Sequence, residues 1–297
     1  MFAEFKHTLR RMSGQIWGWG IGLALYALML VYFSDMFMKS SVLTQLLSSY
    51  PQDLLAFFGE MMTATTPKGY LDTYYYLYMT LIMGIFAVGA GAALLAADEE
   101  KGILDLVLAH PVSRTALFWG RWLAFAAATT LILLLGWAGW VPFAHRVGLN
   151  LTWLQFLFPN VPLLAELLLF GSLALLLSML LPASANASAL VGALLTANWL
   201  LRGLAAMNKD LMSVMKWTPL HLYQGGAAVD GLNWGWLAGL LGASLLLAGL
   251  AWVLFQRRDI RVGGERSWTL PAQQRSPVLW RACPGTAGRC VGSRPGL

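Results

Sequence analysis

Long apolar runs separated by short polar segments set the pattern of this chain. Six runs have the roughly 20 residues that a helix needs to cross the hydrocarbon of a bilayer. They cover residues 14–33, 72–97, 116–141, 160–181, 184–206 and 234–255. Almost no loop separates the fourth from the fifth, so these two are predicted to form a tight antiparallel hairpin. The pattern predicts an all-α integral membrane protein with six transmembrane helices. Before the first run, Phe2, Phe5, Leu9 and Met12 recur at helical spacing, with Glu4, Lys6, His7, Arg10 and Arg11 between them. This predicts an amphipathic helix over 1–13 lying in the membrane interface. A plain cationic anchor would have the same composition.

Two polar stretches are too long for simple turns. Residues 34–70 contain Leu43, Leu46, Leu47, Leu54, Leu55 and Phe58, with Pro51 as a breaker, and predict short amphipathic helices on the outer membrane surface. Residues 207–233 are similar, with Pro219 and Gly225-Gly226. Rows of small residues, Gly14–Gly18–Gly22 and Gly231–Gly235–Gly239, predict close helix contacts, within the bundle in preference to a dimer seam. Residues 14–262 form the membrane domain. Arg, Pro, Gly and Ser dominate the tail, 263–297, which is expected to be disordered.

Composition sharpens the class. The chain is 58% hydrophobic and 11% charged, with mean hydropathy +0.62, whereas soluble domains carry roughly 25% charged residues. The net charge of +6 does not indicate nucleic-acid binding, because Lys and Arg follow membrane topology. Placing both termini on the cytoplasmic side puts 14 of the 20 Lys and Arg there, and 9 against 6 without the tail beyond Arg261. Trp17, Trp19, Trp119, Trp122 and Trp252 then fall near inner ends, and Tyr70, Tyr74, Tyr75 and Trp234 near outer ends. Cys283 and Cys290 both lie in the tail and cannot staple the core.

The most informative polar stretch is 98–114, between the second and third runs. It reads Asp98-Glu99-Glu100-Lys101-Gly102-Ile103-Leu104, then Asp105 to Ala109, then His110-Pro111-Val112-Ser113-Arg114. Ile103, Leu106 and Val107 share one side of a short helix that Pro111 ends. The pattern E-E-x-G-I-L followed by P-V-S-R resembles that of the membrane permease subunit of an ATP-binding-cassette (ABC) transporter, type-2 exporter class. Position 103 is Ile where that family often has Thr or Ser. Weaker agreement comes from Trp217-Thr218-Pro219-Leu220-His221-Leu222-Tyr223 and from Phe255-Gln256-Arg257-Arg258-Asp259-Ile260. The resemblance covers roughly residues 1–262.

The resemblance implies a function. The 98–114 segment would be a coupling helix docked on a separate cytoplasmic ATPase, in an assembly of two permease and two ATPase subunits at the plasma membrane. ATP and Mg²⁺ would sit on the ATPase, with no cofactor in this chain. Transport would be outward, of drugs, antibiotics, peptides, lipids or glycans. In this class the segment before the last span dips back as a re-entrant hairpin. Glu99 and Glu100 are candidates to pair with cations of the N-terminal helix or of the ATPase. Gly102 would allow close backbone approach. Leu106 and Val107 would form the apolar contact surface, Pro111 the helix stop, and Arg114 a contact to acidic partners or lipid phosphate. A solvated charged loop is the plain alternative for such a charge run.

Candidate chemistry inside the spans is sparse. A phosphate-cradling loop needs Gly-Lys, and none of the six Lys follows a Gly. His7, His110, His145 and His221 are scattered, and none starts H-E-x-x-H, so no metal site and no enzyme chemistry are expected. Glu166 and Arg202 lie some 6–9 Å below the outer ends of the fourth and fifth spans, at 1.5 Å per residue. Charges at that depth are costly, so a buried Glu166–Arg202 pair is expected, structural or gating in role. A proton- or ion-coupled secondary transporter using Glu166 is the rival function. It would be expected to show two related halves with broken helices and several intramembrane carboxylates.

Overall fold

The computed structural model describes residues 1–38, 66–102, 113–144 and 151–257, and besides these 40, 45, 49–51, 55, 57 and 104. Helix α1, Phe2–Arg11, turns through Met12 into α2, Ser13–Met38, the first span. The second span starts as α3, Pro67–Leu71, passes through a π-helical stretch, Asp72–Tyr76, and continues as α4, Leu77–Glu100. The third is α5, Arg114–Ala144. A short helix α6, Trp153–Leu157, leads into the fourth, α7, Asn160–Leu180. The fifth is α8, Ser184–Met207, followed by α9, Lys209–Met215, and the sixth is α10, Trp234–Arg257. All six predicted spans are long apolar helices, and the chain is an all-α, multi-pass membrane protein.

Local chemistry sets several helix starts. Pro67 occupies the first turn of α3, and Thr66 Oγ1 accepts a hydrogen bond from the Gly69 N–H at 3.2 Å. Thr152 and Gln155 form a capping box that opens α6, the Thr152 N–H donating to Gln155 Oε1 at 2.8 Å. Ser113 Oγ accepts from the Ala116 N–H at 3.2 Å and starts α5.

Two spans form the centre. The most apolar windows of the second and fourth spans are 67% and 72% buried, against 28–33% for the first, fifth and sixth. Helix α7 packs on α4 and α10, α4 also contacts α8, and α2 and α1 lie along α5. At the centre the α4 and α7 backbones touch. A Cβ added to Gly91 would lie 2.2 Å from the Gly171 carbonyl oxygen. Lipid supplies no hydrophobic drive between spans, so such close contact is a main source of cohesion. Polar side chains add to it: Trp122 Nε1 of α5 donates to Ser172 Oγ of α7 at 3.0 Å, which lies 3.3 Å from Ser244 Oγ of α10.

Among the described residues, the predicted glycine rows make no helix crossing within the chain. Gly14, Gly18 and Gly22 have open space where a Cβ would stand. The first span meets the third on another face, where a Cβ on Gly139 would lie 2.6 Å from the Ala24 carbonyl oxygen. Gly235 and Gly239 have only ordinary 3.4 Å contacts, and Gly231 has none. A row spaced by four marks one helix face, and whether that face meets a neighbour depends on the rotation of the helix.

Of the stretch 34–70, Leu55 is buried and Pro51 exposed, whereas Leu43, Leu46, Leu47, Leu54 and Phe58 lie outside the described residues. The tail from 258 does as well. The 207–233 stretch folds back, burying Leu220, Tyr223, Gly225, Gly226, Ala228 and Val229.

Candidate functional site

Two polar constellations lie toward opposite ends of α4, at Asp98 and at Thr80, about 27 Å apart at 1.5 Å per residue. The first is at its C-terminal end, where the 98–114 segment begins. Asp98 is buried and bridges two helices: Oδ1 accepts Arg11 Nη1 of α1 at 2.7 Å, and Oδ2 accepts Arg121 Nη2 of α5 at 2.8 Å. Arg121 is itself buried and donates through Nη1 to the Leu94 carbonyl at 3.0 Å. The carboxylate that holds Arg11 of the N-terminal helix is thus Asp98, one residue before the Glu99-Glu100 pair expected in that role. A carboxylate facing inward at the last turn of a span is surrounded by low dielectric and needs a fixed counter-charge. Glu99 and Glu100 complete the same last turn of the span.

Glu100 has a different task. Its Oε1 accepts the backbone N–H of Ser184 at 2.7 Å. Ser184 opens α8, whose first N–H groups lack intrahelical partners and carry the positive end of the helix dipole. A carboxylate there ties the end of the second span to the start of the fifth.

Gly102 follows with φ +66°. Its N–H bonds the Glu99 carbonyl at 3.0 Å and closes the last turn of the span. Among the described residues nothing stands within 4 Å of where its Cβ would be, and the backbone conformation by itself favours glycine. Leu104, two residues on, is 2% exposed and packs among Leu95, Leu117, Phe118, Met179 and Phe255. Its role was missed, although the E-E-x-G-I-L pattern contains it. Arg114 Nη1 donates to the Gln256 carbonyl at 3.5 Å, placing a cation at the negative C-terminal end of α10. Leu106, Val107 and Pro111 lie outside the described residues.

The second constellation surrounds Glu166 on α7. Glu166 is fully buried. Thr80 Oγ1 of α4 donates to Glu166 Oε2 at 3.4 Å, and Oε1 has no hydrogen-bond partner. The expected direct Glu166–Arg202 pair is replaced by two separate contacts. Arg202 is only half-buried, and its guanidinium lies 5.4 Å from the Tyr223 ring centroid, a cation–π distance. It remains near enough to act on Glu166 through space. Thr80 takes the nearer position because α4 packs directly against α7.

The same region holds the fold-back segment. The Tyr223 hydroxyl donates to the Tyr76 carbonyl at 3.2 Å. Asp72 Oδ1 accepts the Gly226 N–H at 2.6 Å, and Lys68 pairs with Asp230. A Cβ on Gly226 would lie 2.8 Å from the Asp72 Cα, so only glycine fits there. Three carbonyls in or beside the π-helical stretch accept side-chain donors from other segments. Tyr26 bonds Tyr74 O at 2.6 Å, Tyr223 bonds Tyr76 O, and Trp199 Nε1 bonds Leu77 O at 2.9 Å. Single π turns recur at functional positions in helices.

One outcome follows for Glu166. Glu166→Gln keeps an acceptor for Thr80 and removes an ionisable carboxyl from a fully buried, half-partnered position. It is expected to leave the thermal midpoint of the purified protein unchanged or higher. A loss above ~1 kcal/mol would show that the carboxylate's charge holds the fold.

The comparison with protein families agrees with these features. A family model described as ABC-2 family transporter protein matches residues 4–260. Among curated proteins, none matches this chain.

Proposed function

The chain belongs to the ABC-2 transporter family, with a permease role in the membrane, and we propose that it is the permease subunit of an exporter driven by a separate cytoplasmic ATPase. The family match over residues 4–260 carries this reading. In it, two copies of the chain, or one copy and a related chain, line the substrate path at the plasma membrane, with both termini cytoplasmic. Residues 98–114 are the coupling segment, ATP and Mg²⁺ are held by the ATPase, and transport is outward.

The end of the second span supports the coupling role. Asp98, Glu100 and Leu104 tie the chain on both sides of Gly102 to α1, α5, α8 and α10. A force on residues 105–112 would therefore reach several spans at once. Leu106 and Val107 supply the apolar contact to the ATPase, and Pro111 with Arg114 ends the segment and returns it to the bundle.

Co-purification with candidate cytoplasmic ABC ATPase subunits from the same organism tests the proposal. The wild type should retain the ATPase in detergent, and Val107→Asp should reduce retention at least about tenfold, as loss of a buried interface anchor does. The permease itself should remain monodisperse. Failure of any ATPase to bind, or unchanged retention in Val107→Asp, would overturn the coupling assignment.

A further inference from the structure

A cleft of about 380 Å³ opens where α1 turns into α2 against α4 and α5. Its polar side is formed by His7, Arg11, Gln15 and Arg121. Its other wall is Ala90, Ala93, Leu94 and Ala97 of α4. Among the described residues, no Asp or Glu lines it. The volume is within the usual range of small-molecule sites.

Two observations give the cleft a sign. Arg11 and Arg121 share one counter-ion, since Asp98 gives Oδ1 to the first and Oδ2 to the second. The trio therefore has an excess positive charge. Arg121 is 3% exposed, yet its Nε has no hydrogen-bond partner in the protein. A buried guanidinium N–H left open is costly unless an acceptor completes it. Guanidinium groups match phosphate oxygens in geometry as well as charge.

We propose that this cleft binds an anionic phospholipid, with the headgroup phosphate held by Arg11 and Arg121 beside His7 and Gln15, and an acyl chain along Ala90, Ala93 and Ala97. The shared chemistry is that of a phosphate ester, which a soluble metabolite could also offer. The lipid is favoured because one wall is an alanine-rich face of a membrane-crossing helix, where the neighbouring solvent is acyl chain. Helix α1 adds two further exposed cations, Lys6 and Arg10. The site concerns the membrane anchoring of the N-terminal helix and is independent of coupling to an ATPase.

Native mass spectrometry of the full chain from mixed micelles tests this, with phosphatidylglycerol and phosphatidylcholine as probes. The wild type should retain phosphatidylglycerol in preference to phosphatidylcholine. Arg11→Gln, at a half-exposed position, should lower that retention about fivefold, the usual worth of one basic side chain near an anionic surface. Ala93→Leu fills the cleft, leaves every charge in place and should lower retention to a similar extent. Glycerol 3-phosphate should not displace the lipid. Equal retention of both lipids, or unchanged retention in both variants, would overturn the site. Displacement by glycerol 3-phosphate would overturn the lipid assignment in favour of a soluble phosphate.

Discussion

Asp98→Ala is expected to be among the most damaging single substitutions in this chain, costing ~3–5 kcal/mol. The alanine would strand the charge of Arg121, whose side chain is 4% exposed and which would keep only its neutral acceptor, the Leu94 carbonyl. Arg11→Gln removes the other partner of the same carboxylate and should cost far less, because Arg11 is 47% exposed and water replaces the contact. Thermal midpoints of the detergent-solubilised variants, followed by fluorescence-detected size-exclusion chromatography, would check the contrast. The double variant Asp98→Asn with Arg121→Gln should recover part of the loss, since it leaves no unpaired buried charge. Equal losses for Asp98→Ala and Arg11→Gln would show that burial is not what makes the Arg121 arm matter.

Gly91→Ala is expected to have the second large effect. One methyl group at this position would have to occupy space 2.2 Å from the Gly171 oxygen, and the obstacle is backbone, not a movable side chain. The two central spans would have to separate along their length, at ~1–3 kcal/mol or more. Gly18→Ala is the control: its added methyl meets nothing within 4 Å, and the change should stay within about 0.5 kcal/mol. Thermal midpoint and yield of monodisperse protein would distinguish them. A Gly91→Ala variant as stable as Gly18→Ala would mean that α4 and α7 can part freely.

The six spans were readable because a run of 20 apolar residues has almost no other stable fate in a bilayer. The polar ends were readable only in part. Arg121 reads as one more positive-inside charge. Its burial depends on the α5 face that meets α4, which spacing along one chain does not reveal. Asp98 is the first of three acidic residues, and the sequence offers no reason to separate it from Glu99 and Glu100. Glu166 stands out because a carboxylate in a span is conspicuous, but its partner Thr80 is neutral and one of many hydroxyl residues. The glycine rows show the same limit: Gly14, Gly18 and Gly22 form a regular stripe, whereas Gly91 and Gly171, which touch, sit in no common pattern.

The π-helical stretch Asp72–Tyr76 gives the second span two phases. Each residue advances a helix by about 100°, so one wide turn offsets everything before it against everything after. Below it, Leu77 to Glu100 present Thr80, Gly91 and Asp98 to the bundle. On the other side, Lys68, and Asp72 at the first position of the stretch, are turned toward Asp230 and Gly226. Shortening the run Tyr74-Tyr75-Tyr76 by one residue would restore a uniform helix and bring the two phases into line. The Lys68 and Asp72 contacts would then swing out of register with those of Thr80, Gly91 and Asp98, so one deletion would loosen the fold-back segment at these two anchors.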